Sequence, residues 1–437
     1  MRSTGKFACG RLFLGTLAAG LIVFCLTPGL VQAQVGSGSK GNNAVYGNTG
    51  TQIIASTAFV DASAYDTSGT DDFCLKLQKA LASITKGGTV IDARGITTNL
   101  TCSSTTPINP WAGVSQPTTV LLPAGTITIS ETWLLPSQSH VFGEGAGQTT
   151  VKAASGFATP MIQMGGSGGP CGSGNICFGI QVGHLTLDGG GQQIDGIDNS
   201  YSQEQSFVDD VVLQGLEGNG LSIGSGAGHS GPYTNIVFDC STECSSSLPG
   251  TCINILSEEP RGIHGLTCKG SNGSNAAILL DGSDVSLEDV TISGFAEGIE
   301  IGSRSSADSN LLLNINGSTS SSLISISNSS TVNNLTILGV TNTNSGTTTI
   351  SDMLTGTTLS DATIGMYALG HPIGATSGAY TRFTTSPNET TWGIGSATIS
   401  STTATCTKNG SLFSSTSTTT TVGTLWACVG GHWTKIK

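Results

Sequence analysis

The sequence predicts an all-β chain: a right-handed parallel β-helix of about eight coils, followed by a small C-terminal β module. Three observations carry this. Charged residues are only 10% of the chain while Gly numbers 62, a composition of short strands and turns rather than of helices. A five-residue apolar pattern returns at steps of 22 to 30 residues, and a second column of aliphatics keeps the same beat. A fixed period with several strands per repeat is the mark of a solenoid, in which each turn buries its aliphatics only by stacking on the next.

Residues 1–33 read as a secretory signal peptide. Arg2, Lys6 and Arg11 precede the apolar run LFLGTLAAGLIVFCLTPGL, and VQA offers a small-residue cut after Ala33. Pro28 and Gly29 break the run too early for a membrane anchor, and no later segment is apolar enough to span, so no membrane contact is expected after cleavage. Residues 34–57 read as a flexible leader. Of 16 Lys and Arg, 13 stay in the mature chain against 28 Asp and Glu, a formal charge of 13 − 28 = −15. That balance excludes nucleic acid and anionic membranes as partners. Cys9 and Cys25 leave with the signal, and the ten that remain of 12 read as disulfides in an exported chain. Local spacing pairs Cys171 with Cys177, Cys406 with Cys428 and Cys74 with Cys102. Among Cys240, Cys244, Cys252 and Cys268 the pairing stays open, and a zinc site there lacks the paired His or second close Cys pair it needs.

The rungs follow from alignment. VTISG at 290 matches LTLDG at 185, VVLQG at 211, IVFDC at 236, LTCKG at 266, LLNIN near 312, LTILG at 335 and ATIGM at 362. The second column is Ile197, Leu221, Ile253, Ile278, Ile299, Ile324 and Ile350, echoed two residues on by Ile223, Ile255, Leu280, Ile301 and Ile326. Apolar residues two apart point to one side of a strand, here inward. The residues before the first strand are His184, Asp210, Asn235, Gly265, Asp289, Leu312, Asn334 and Asp361, and the recurrence of Asn and Asp marks a turn that their side chains cap. Asp210, Asp289 and Asp361 are therefore expected to be structural, and Glu288 and Glu297 to be solvated surface charge.

The segments YDTSGTDDFCLKLQKAL and GGTVIDARG, then TVLLPAGTITISETWLLPSQSHVFGEGAGQTTVKA, resemble the opening of the pectate-lyase-like superfamily of secreted β-helix proteins. The resemblance covers approximately residues 58 to 370 and implies fold far more than reaction. It implies a capping helix with Asp71 and Asp72 at its N-terminus, where carboxylates meet free N–H groups. The β-helix domain is then 58–374, and 375–437 is a small β module clipped by Cys406 and Cys428.

Motifs for chemistry are few. GLSIG at 220 fits G-x-S-x-G, but Ser222 lies within the ladder and no helix follows it. The same GNGLSIGS resembles the GHGLSIGS of the related polygalacturonases, with Asn219 where their His would stand and no paired Asp a coil earlier. What the ladder leaves unexplained clusters beside the Ile column. Glu258, Glu259, Glu300, Arg261 and His264 are the candidate catalytic residues. Asp195, Asp198, Glu204, Tyr201, Tyr233 and Arg304 are the candidate substrate-binding residues, the tyrosines as aromatic faces for sugar rings. Glu300 lies between inward Ile299 and Ile301 and so faces out, and a carboxyl of Glu258 or Glu259 is expected near it.

Such a set suits a polysaccharide partner. A glycoside hydrolase needs two carboxyl groups about the scissile bond, and a lyase must neutralise a uronate and remove its α-proton. So acidic a chain would need Ca²⁺ to hold a polyuronate, whereas a neutral glycan requires no cofactor, which favours hydrolysis. The alternative is a non-catalytic glycan-binding or adhesin-like surface β-helix, since fold alone does not give function.

Overall fold

The structure, a computed structural model, describes residues 59–326 apart from 67–68, 104, 158–159, 167–170, 172–175, 246–249, 258–259 and 305–306. Beyond that it describes 332–333, 335–344, 348–352, 363–365, 392–395, 412–415 and 424–436. The signal segment, the leader and Cys406 lie outside the described residues. The described chain is a parallel β-helix of about nine turns, the architecture implied by the resemblance to the pectate-lyase-like superfamily.

Each turn presents three faces, and period-2 alternation fills the interior from all three. On the first face Ile91, Val120, Val141, Val182, Val208, Tyr233, Ile263, Leu287, Leu312 and Ile337 stand in register, every one fully buried. On the second face the row is Ile127, Val151, Leu187, Leu213, Phe238, Cys268 and Ile292. The third face carries Trp133, Ile162, Ile197, Leu221, Ile253, Ile278, Ile299 and Ile324, all at 0% exposure, and Ile350 continues the register. The Ile column expected from sequence is therefore the interior row of one sheet.

A sharp corner joins the first face to the second. His184, Asp210, Asn235, Asp289 and Asn314 occupy it with φ of 53 to 56°, and Gly265 and Gly339 take the same place at 69 and 68°. Asn and Asp tolerate this left-handed region because their short side chains bond locally. Here they bond across turns: Asn314 donates to Asp289 at 2.6 Å, and His184 pairs with Asp210 at 2.9 Å. Three rungs, LLNIN, LTILG and ATIGM, differ from the sequence alignment. Leu312 is interior and Asn314 takes the corner, and the following corner residue is Gly339 rather than Asn334. LTILG and ATIGM belong to the first face, since Ile337 pairs with Leu312 and Ile364 with Ile337. Both faces share the same alternation, so a slip between them leaves no mark in hydropathy. Asn334 and Asp361 lie outside the described residues.

The helix Phe73–Ala82 forms where expected, capped by Asp72, whose carboxylate accepts the Leu75 N–H at 2.8 Å. Its buried face of Phe73, Leu77, Ala80 and Leu81 continues into Trp111 and Trp133, so an aromatic plug heads the third-face column. Cys74–Cys102 ties the helix to the coil, and Cys171–Cys177 forms as spaced. The open cluster resolves into Cys240–Cys244 and Cys252–Cys268, with no zinc site. Cys428 is disulfide-bonded. At the C-terminus Trp392–Gly395, Leu412–Ser415, Thr424–Val429 and His432–Lys435 form a separate four-stranded sheet.

Two substitutions test this account by chemical denaturation. Ile253→Ala should cost about 2–5 kcal/mol, because its rung cannot close over the lost methyls. Asp289→Asn should cost at most about 1 kcal/mol, since an amide caps the same corner.

Candidate functional site

If inward residues alternate along the third face, the residues between them must face out. Pairing places Asp198, Ser222, Asn254, Leu279, Glu300 and Ser325 in one outward row. Its centre is covered: Asn254 is 5% exposed and Leu279 8%. The Asn254 Oδ1 has no hydrogen-bond partner among the described residues. Asp198 and Glu300 are half-buried at either side of that centre. Four strand spacings separate them, about 19 Å, so these two carboxyls cannot serve one glycosidic bond.

Each stands in its own acidic setting. Burial, then the charges of Glu297 and Asp281, push the Glu300 carboxyl above its ordinary range, and Arg304 opposes them. Asp281 lies almost fully buried one turn earlier and accepts the Arg304 N–H at 2.9 Å and the Ser303 hydroxyl at 3.3 Å. At the other side, burial again raises Asp198, against a hydroxyl bond from Ser200 and with Asp195 adding to it. Asp195 itself accepts the backbone and side-chain N–H groups of Asn219, which fixes the start of the following strand.

The structure divides the predicted set. Tyr201 and Glu204 lie in the turn after Asp198, half-buried and exposed respectively, and Arg304 is exposed in the turn after Glu300. Arg261 is exposed in the turn that leads to the first face. His264 is not beside Glu300: it faces out from the first face, 3.2 Å from Glu288. Glu288 thus meets the His264 imidazole and also accepts the Ser286 hydroxyl at 2.8 Å, and is not a merely solvated charge. Glu297, expected to be solvated, is half-buried and acts on Glu300. Tyr233 offers no face to a sugar. It is interior, its hydroxyl bonded to Asn199 and Ser230 at 2.7 Å and pushed up to about 12 by burial. Glu258 and Glu259 lie outside the described residues. Sequence reasoning passed over Asp281. Its signal was its place at the end of ILLDG, where the next turn reads IEIGSR. Among the described residues no three His, Cys, Asp or Glu side chains converge as a metal site.

No family model matches the chain, and no curated protein matches it. Solved structures match the chain at low identity. ORF18 of Geobacillus virus E2 is 13% identical with a TM-score of 0.46, over 70% of this chain and 61% of that one. The tailspike protein of E. coli bacteriophage HK620, solved with a pentasaccharide, is 14% identical with a TM-score of 0.46, over 74% and 60%. The catalytic unit of a GH87 α-1,3-glucanase from Streptomyces thermodiastaticus is 13% identical with a TM-score of 0.40, over 72% and 66%. The chain thus spans less than two thirds of the virus and tailspike chains.

The raised Glu300 pKa has a sign that thermal melts can read. An acid whose folded pKa is raised contributes stability below its unfolded pKa and loses it as the pH rises through the folded value. Glu300→Gln should therefore melt at or above the wild-type temperature at neutral pH. The gap should close as the pH falls below the ordinary glutamate value of 4.5. A lower melting temperature at neutral pH would mean that the charge is used in an ion pair.

Proposed function

We propose that the protein is an exported, polysaccharide-active β-helix that hydrolyses a neutral glycan along the outer third face, with Glu300 as proton donor. The observation that carries this is the environment of Glu300, an outward carboxyl held toward its protonated form by burial and two neighbouring acids. A general acid must keep its proton near the working pH, and paired acids with divided roles are how glycosidases arrange it. Asp281 or a carboxyl from Glu258 and Glu259 is the second group of the pair. Asp195, Asp198, Tyr201, Glu204 and Arg304 border the path of the chain.

Uronate elimination fits less well. It needs a cationic base and a countercharge, yet Lys152 is paired to Asp188, Lys269 to Asp239 and His264 to Glu288. Arg261 and Arg304 remain exposed, and Ca²⁺ would have to supply the rest.

Reducing-sugar release and the ultraviolet absorbance of unsaturated uronates, measured with neutral and acidic polysaccharides, separate the cases. New reducing ends from a neutral substrate are expected, unchanged by EDTA. Glu300→Gln should lower kcat by roughly 10²-fold or more while the coil stays folded. Wild-type turnover in that variant, or EDTA-sensitive release of unsaturated uronate, would overturn the assignment. Glycan binding without turnover would make the protein a binding module.

A further inference from the structure

We propose that a second glycan site lies outside the first face, over its early turns, where three glutamine amides and a threonine hydroxyl surround an uncharged cleft fitted to a neutral sugar chain. The cleft encloses about 300 Å³ and is lined by Thr119, Gln138, His140, Gln181 and Gln205, with no Asp, Glu, Lys or Arg. In a chain of formal charge −12 such a neutral stretch discriminates against anions and cations alike.

The scaffold sets the spacing. Thr119, His140 and Gln181 are outward neighbours on successive strands, separated by one strand spacing of about 4.8 Å, close to the length of one pyranose. The His140 ring is fixed by Thr119 at 3.2 Å and by the Gly179 backbone, and burial lowers its pKa, so it forms an uncharged floor. The side-chain amides of Gln138, Gln181 and Gln205 hold no hydrogen bond to another described residue. An amide offers a donor and an acceptor together, which is what vicinal hydroxyls require.

Two of the amides sit where the backbone favours glycine. Gln138 and Gln205 have φ of 60 and 61°, and Gly179, in the turn between them, has 65°. A glutamine there is strained where a glycine is not, and such outliers gather at functional sites. An extended peptide is a poorer occupant, because these strands already use their backbone groups between turns and offer no sheet edge.

This site is separate from the acidic row on the third face and does not depend on turnover there. The test is calorimetric titration of the full chain with cello-, laminari- and malto-hexaose, and with hexagalacturonate as the charged control. A neutral hexasaccharide should bind and hexagalacturonate should not. Gln138→Gly/Gln205→Gly, which removes both amides and relaxes both turns, should bind at least tenfold more weakly with an unchanged or higher melting temperature. Gln181→Ala should weaken binding likewise, while Glu300→Gln binds as wild type. The proposal fails if no neutral hexasaccharide binds, or if the glutamine variants bind as wild type. It also fails if Glu300→Gln alone loses binding, which would place the glycan on the third face and leave the reading of Glu300 standing.

Discussion

Register between successive turns is the constraint on which the rest of this structure depends. Each interior aliphatic meets its counterpart one strand spacing away, and burial of each is worth roughly 1.5–3 kcal/mol. A slip of one residue would turn a whole strand inside out. The same register that stacks Ile197, Leu221, Ile253, Ile278 and Ile299 also lines up Asp198, Ser222, Asn254, Leu279 and Glu300 on the outside. Outward side chains thus inherit positional order from residues they never touch.

A stack of this kind needs a corner that recurs and an end that closes. Asp, Asn and Gly supply the corner, with His184 the exception, because they take the left-handed conformation at little cost. The first open rung is closed by Phe73, Trp111 and Trp133 beneath the helix. Cys74–Cys102 keeps that cap on the coil, and Cys252–Cys268 joins two adjacent turns across the interior. Faces and turns freed from these duties are where ligands can be recognised.

Much of this was legible in the sequence because period-2 alternation and Asx corners are local signals. The Ile column and the Cys74–Cys102 and Cys171–Cys177 bridges emerged directly, and the capping helix came from the resemblance to the pectate-lyase-like superfamily. What failed needed the second apolar position of the first face. Tyr233 stands three residues before Ile236, as Val208 does before Val211 and Leu287 before Val290, so it shares their interior row. His264, one residue after Ile263, falls outside by the same count, and on a different face from Glu300. The candidate site was half legible. Alternation placed Glu300 and Asp198 outside, but of the acids that act on Glu300 one, Asp281, comes from a neighbouring turn and the other, Glu297, from an irregular stretch of its own strand, which linear alternation does not show.

Charge distribution links the two outer faces. Four described lysines, Lys76, Lys79, Lys152 and Lys269, are each held by an Asp. Positive charge therefore ties segments together and little is left to face a ligand. On the third face the consequence is acids beside acids: Glu300 lies near Glu297 and Asp281 with only Arg304 opposing. That surplus repels a polyanion and, by the same Coulomb term, adds to burial in raising the Glu300 pKa. On the first face the cleft at Gln138, Gln181 and Gln205 avoids charge altogether. Under the two proposals above, both surfaces select against a charged polymer, one by repulsion and one by offering amides in place of countercharges. On the proposed reading, the neutrality of the glycan and the raised pKa of its acid share a contributing cause, the scarcity of free cations on an acidic coil, with burial the larger influence on Glu300.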